Sequence, residues 1–152
     1  FLPWLGVLDA AGAARLREML PADYSPEIVH GAAGYESLAT LPGVSLVVAA
    51  QVGASGLQPA LAAARAGKIL ALANKEALVL AGELFRQACR QSGAVILPVD
   101  SEHNALFQCL AGREATPAVR RLLLTASGGP FLHHTRREME AVTLEEALRH
   151  PN

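Results

Sequence analysis

Cysteine is scarce in this chain: Cys89 and Cys109 are its only two, too few for a disulfide framework or a metal–thiolate set. A reducing cytoplasm is therefore the expected compartment. An excess of positive charge is also missing, since 13 Lys plus Arg stand against 14 Asp plus Glu. That balance offers no basic stripe for a nucleic-acid backbone or an anionic membrane, and neither is expected as a partner. Long hydrophobic runs are absent too: stretches such as Leu46–Ala50 fall far below the roughly 20 residues that span a bilayer. Phe1 stands where an initiator Met would be, and the first residues lack the basic flank of a signal peptide and contain Asp9. The expectation is an internal piece of a longer protein.

What is present is ample material for a core, with 51% hydrophobic and 18% charged residues over 152 positions. Short apolar runs alternate with stretches of helical period, the pattern of an α/β chain with a parallel sheet wound by helices on both faces. Strands are predicted at 5–8, 28–30, 44–50, 68–73, 94–99 and 121–126, several apolar throughout as buried parallel strands are. Helices are predicted at 10–20, 35–41, 55–66, 76–91 and 101–110. In the fourth, Ala77, Leu78, Ala81, Leu84, Phe85 and Ala88 form one apolar stripe, leaving Arg86, Gln87 and Arg90 to water. Thr143 with Glu146 has capping-box spacing and opens a short helix through Arg149. The turn residues around Pro98–Asp100 mark the expected boundary, giving domains 1–98 and 99–152.

Five segments carry residues suited to chemistry. Pro98–Asn104 follows a strand and precedes a helix, which sets its side chains at the carboxyl edge where α/β proteins bind ligands. Asp100 and Glu102 are hard oxygen donors suited to Mg²⁺ or Mn²⁺, while helix capping by Asp100 or Ser101 accounts for the same residues. His103 reads as a packing or surface residue. Thr125–Phe131 holds Ser127, Gly128 and Gly129, whose hydroxyl and backbone N–H groups suit a phosphate, or which form a glycine turn closed by Pro130. Gly53–Gly56 joins a strand to a helix as dinucleotide loops do, without the full G-x-G-x-x-G pattern. In Asn74–Glu76, Lys75 can meet a phosphate or carbonyl as a point charge, or be a solvated lysine beside an Asn74 cap. His150–Asn152 serves equally as a helix stop.

In this order the segments LANKE, LPVDSEHNALFQ, TASGGPF and RHPN resemble the 1-deoxy-D-xylulose 5-phosphate reductoisomerase family, strongly from about Val47 to Asn152 and loosely before it. The resemblance implies an incomplete Rossmann-like NADPH-binding domain followed by the start of a catalytic α/β domain. It implies an oxidoreductase that rearranges a small phosphorylated ketose to a branched aldehyde and reduces it with NADPH to 2-C-methyl-D-erythritol 4-phosphate, with Mg²⁺ or Mn²⁺. Carried over, Asp100 and Glu102 become metal ligands. Ser101, Glu102, Ser127 and His150 become substrate-binding, and Gly53, Ala54, Asn74, Lys75 and Glu76 lie on the cofactor side. Lys75 and Glu102 are the catalytic candidates. The family further implies a homodimer when intact, in the cytoplasm or, in a plant or alga, the plastid. A third carboxylate ligand, a glycine-rich cofactor loop and a lid would lie outside this chain, so the piece alone is expected to be inactive. Two other readings compete: a non-enzymatic Mg²⁺-binding regulatory domain, and a different NADP-dependent dehydrogenase.

Overall fold

A computed structural model of the chain describes residues 2–110, 119–125 and 129–149. The chain forms two compact units, Phe1–Asn104 and Ala105–Asn152.

In the first unit strand and helix alternate as the hydrophobic pattern predicts. The order is β1 (Trp4–Val7), α1 (Ala10–Met19), β2 (Glu27–His30), α2 (Gly31–Ala39), β3 (Leu46–Ala49), α3 (Leu57–Arg65), β4 (Ile69–Leu72), α4 (Lys75–Ser92), β5 (Val95–Pro98) and the start of α5 (Ser101–Leu110). Every pairing is parallel, as the intervening helices require. The strands nevertheless fall into two ladders, β1-β2 and β3-β4-β5. In the second ladder Ala49, Leu72 and Pro98 stand level at the carboxyl ends. The segments that follow them therefore leave the sheet from one edge.

The core lies where α3 and α4 cover β4. Leu70 and Phe85 are its largest fully buried side chains, packed with Ala60, Ala63, Ala64 and Leu72. The alanines let the helix backbones come close, so the abundance of Ala is a packing feature. A fully buried side chain of the size of Phe85 contributes about 1.5–3 kcal/mol over an exposed one.

Three expectations need correction. On α4 the buried stripe is Ala77, Ala81, Phe85 and Ala88, while Leu78 and Leu84 are exposed. Residues spaced by four, four and three stay on one narrow line, and the two leucines flank it. The backbone also leaves helical geometry at Ala81 (φ −144°, ψ 29°), so α4 is two helical pieces across a kink. Second, the apolar strand β3 pairs only with β4 among the described residues, and its Leu46 and Val48 are exposed. Third, of the strand expected at 121–126, residues 121–125 form no ladder, and Leu122, Leu123 and Leu124 are exposed. An apolar run becomes a parallel strand only beside a partner, and no described residue pairs with it.

The second unit is held by local bonds. Its short helices α6 (Arg136–Met139) and α7 (Leu144–Leu148) each open on a capping box, Thr135 with Glu138 and Thr143 with Glu146. The second box matches the expectation, and the first has the same spacing but was not anticipated.

Candidate functional site

Three connections converge at the carboxyl edge of β3, β4 and β5. The first, after β3, is a 3₁₀ turn over Gly53–Gly56. Gly53 has φ +66°, a left-handed conformation that glycine alone adopts without cost. Ser55 folds its hydroxyl back to donate to the Val52 carbonyl at 2.9 Å. Gly53, Ala54 and Ser55 are exposed on this turn.

The second connection is Ala73–Lys75. Asn74 continues the ladder, its N–H donating to the Ala49 carbonyl at 3.1 Å. Its side chain caps α4 by accepting the Ala77 N–H at 3.1 Å, while its amide nitrogen donates to the carbonyls of Gln51 at 2.5 Å and Gly53 at 2.8 Å. Lys75 and Glu76, one and two residues on, are exposed in the first turn of α4.

The third connection follows β5, where the Val99 N–H donates to the Leu72 carbonyl at 3.0 Å. Asp100 then opens α5: its Oδ1 accepts the His103 backbone N–H at 2.9 Å, and its carbonyl accepts the Asn104 N–H at 3.0 Å. The His103 ring Nδ1 lies 2.7 Å from the same Oδ1. Capping and ligation thus need not exclude one another, because Oδ1 holds the helix and Oδ2 remains for a ligand. Burial pushes the Asp100 carboxyl up, but the backbone and ring bonds from His103, with the charges of His103 and Lys75, hold it below the ordinary aspartate value. Glu102 is likewise lowered, first by its own backbone N–H, then by the Ser101 hydroxyl and the Lys75 charge. Lys75 Nζ stands 3.5 Å from Glu102 Oε2.

The fold thus brings together Gly53, Ala54, Asn74, Lys75, Glu76, Asp100, Ser101 and Glu102 from three connections far apart in sequence. Ser127 and His150, the other two candidates, lie outside the described residues. Sequence reasoning missed His103 as a partner of Asp100, although the three-residue spacing from a capping aspartate was the available signal. Among the described residues no three His, Cys, Asp or Glu side chains are placed to hold a metal ion. The Asp100 and Glu102 carboxylates are hard oxygen donors that fit part of a Mg²⁺ or Mn²⁺ site, since these ions retain water and substrate oxygens as ligands.

Parallel strands crossed by helices, with charged and polar groups gathered beyond the carboxyl ends, define the class: a parallel α/β protein with a candidate ligand site at the sheet edge. Residues 3–82 match the family model of 1-deoxy-D-xylulose 5-phosphate reductoisomerase, and residues 96–152 match the model of that enzyme's C-terminal domain. The chain belongs to the 1-deoxy-D-xylulose 5-phosphate reductoisomerase family. It is 60% identical over 148 residues to the reductoisomerase of Nitratidesulfovibrio vulgaris (strain DP4), covering 97% of this chain and 36% of that protein. The reductoisomerase of Zymomonas mobilis in complex with NADPH superposes with a TM-score of 0.74 at 44% identity, over 98% of this chain and 38% of that one. A DOX-P reductoisomerase in complex with NADPH, fosmidomycin and magnesium gives 0.77 at 39% identity, over 99% and 39%. The chain therefore spans a little over a third of the length of the relatives it matches. Neither a separate regulatory domain nor another dehydrogenase family is favoured by these matches.

Proposed function

We propose that the protein carrying this chain is an NADPH-dependent reductoisomerase that converts 1-deoxy-D-xylulose 5-phosphate to 2-C-methyl-D-erythritol 4-phosphate, a step of isoprenoid biosynthesis. The observation that carries the reading is the joining of Lys75 and Glu102 at 3.5 Å beside Asp100, at the edge where the Gly53–Gly56 turn also emerges. Support comes from family membership and from relatives solved with NADPH and magnesium.

In this reading Asp100 and Glu102 hold the divalent ion, whose charge would polarise the substrate ketone and stabilise alkoxide charge in the rearrangement. Both carboxyls are held below their ordinary values by neighbouring donors and by the Lys75 charge, which extends their ionised form to more acid pH. Ser101 and Glu102 contact substrate, with Ser127 and His150 toward its phosphate. Lys75 sets a positive charge beside Glu102, where it orients that carboxylate and faces the reacting oxygens. Gly53 and Ala54 on the turn, with Lys75 and Glu76, form the cofactor side, where NADPH would supply the hydride for reduction of the branched aldehyde. The catalytic segment begins at Val99 in this reading, and its first residues, Asp100 and Glu102 among them, pack within the first compact unit. We further infer a homodimer, from the family resemblance, and a cytoplasmic location. No described helix is long and apolar enough to cross a membrane.

The test is NADPH oxidation by the intact protein with 1-deoxy-D-xylulose 5-phosphate and Mg²⁺ or Mn²⁺. One NADPH should be consumed per substrate and the branched polyol phosphate formed. Absence of oxidation by folded, metal-loaded protein would refute the reading.

A further inference from the structure

Asn74 is the one buried polar side chain among the described residues, 4% exposed. Its amide nitrogen has two hydrogens, and both are aimed at carbonyls of the turn after β3, those of Gln51 and Gly53. Its oxygen caps α4 through the Ala77 N–H. The side chain therefore has no donor left for a ligand. Gly56, itself buried, lies close against the amide. A Cβ there would sit 2.6 Å from Asn74 Nδ2 and 2.9 Å from the Gln51 carbonyl oxygen.

We propose that Asn74 is a positioning residue: it locks the Gln51–Gly56 turn to the first turn of α4, and this lock sets the turn's readiness for the cofactor. This rests on the reading that the turn lies on the cofactor side. The lock differs from the cap, and chemistry separates the two. Serine and aspartate both cap helices well, so Asn74→Ser and Asn74→Asp keep α4 closed at its N-terminus. Serine has neither the reach nor the second donor to hold both carbonyls. Aspartate is nearly isosteric but turns an oxygen toward two carbonyl oxygens where the amide donated, so it repels the turn. Gly56→Ala attacks the same lock from the turn's side, because the new methyl group displaces the amide.

The experiment compares the intact protein with these three variants by NADPH titration, Mn²⁺ titration and amide hydrogen exchange over residues 51–56. Exchange in the turn should quicken in all three. NADPH affinity should fall on the order of tenfold in Asn74→Ser, as when a ligand-bearing element loses its supporting shell, and further in Asn74→Asp. Mn²⁺ affinity should stay put, since Asp100 and Glu102 lie on another connection. Should Asn74→Asp not fold, Asn74→Ser and Gly56→Ala carry the test. Unchanged exchange in Asn74→Ser, an Asn74→Asp that binds NADPH as well as Asn74→Ser does, or a parallel loss of Mn²⁺ affinity would overturn the proposal. Faster exchange with unchanged NADPH affinity would also overturn it, in a distinguishable way: the lock would stand and the cofactor-side reading of the turn would fall.

Discussion

The two compact units are ordered by different means. In Phe1–Asn104 the order is tertiary: Phe85 and Leu70 are fully buried, and residues far apart in sequence meet at one sheet edge. In Ala105–Asn152 no described residue is buried, and the short helices are held by capping boxes that reach only three residues along the chain. A core holds a site at fixed geometry, whereas a cap holds only its own helix turn. The carboxylates and Lys75 lie in the first unit, which suits groups that must keep sub-ångström spacing.

This contrast can be broken in order of expected size. Phe85→Ala should cost about 3–5 kcal/mol of stability, because it removes a large buried side chain and leaves a cavity among alanines that cannot collapse into it. Urea unfolding of the intact protein would show it as a lowered midpoint with little change in slope. A loss under 1 kcal/mol, on the scale of an ordinary surface change, would mean that the core lies elsewhere.

Ser127→Ala should be smaller and confined to substrate binding. Removing one hydrogen bond to a charged phosphate costs about 1.5–3 kcal/mol, which raises KM for the phosphorylated substrate and leaves NADPH affinity alone. If KM is unmoved and NADPH binding collapses, the 125–131 segment serves the cofactor.

The smallest effect is the acid response of the second unit. Glu138 and Glu146 are held below the ordinary glutamate value of 4.5, first by the backbone N–H groups of Thr135 and Thr143 and then by their hydroxyls. A lowered carboxylate pKa gives stability that is fully present above the unfolded value and is lost as pH falls through the folded one. Protection of the α6 and α7 amides, taken relative to the intrinsic exchange rate at each pH, should therefore fall below pH 4.5, and Thr143→Ala should lower it in α7 at neutral pH. Protection that is flat with pH across the helices would show that something other than the caps holds them.

The same contrast explains what was legible in the sequence. β4 and β5 were readable because short apolar runs bounded by turn residues have few other uses, and the Thr143 box because its partners are neighbours. The roles proposed for Asp100, Glu102 and Lys75 rest on their segments occurring together in a known order, and the structure adds their meeting at one edge. What escaped was set by distant partners. The bonds from Asn74 to Gln51 and Gly53 cross more than twenty residues of chain. Leu78 and Leu84 sit beside the buried line of α4, a distinction that depends on how the helix is rolled against the sheet. Residues 121–125 have the composition of a strand and no partner among the described residues, and composition does not supply one. The Asp100–His103 bond is the exception: it is local, and its spacing was in view.

The most direct test of the account is Mn²⁺ binding to the intact protein, followed by electron paramagnetic resonance of the free ion, for wild type and Glu102→Gln. The amide keeps the shape of Glu102 but removes the charge that holds a hard cation and attracts Lys75. Affinity should fall on the order of 10- to 100-fold, and excess Mn²⁺ should restore part of the turnover. Wild-type Mn²⁺ affinity and turnover in Glu102→Gln would contradict the claim that the edge beyond β4 and β5 is the metal site.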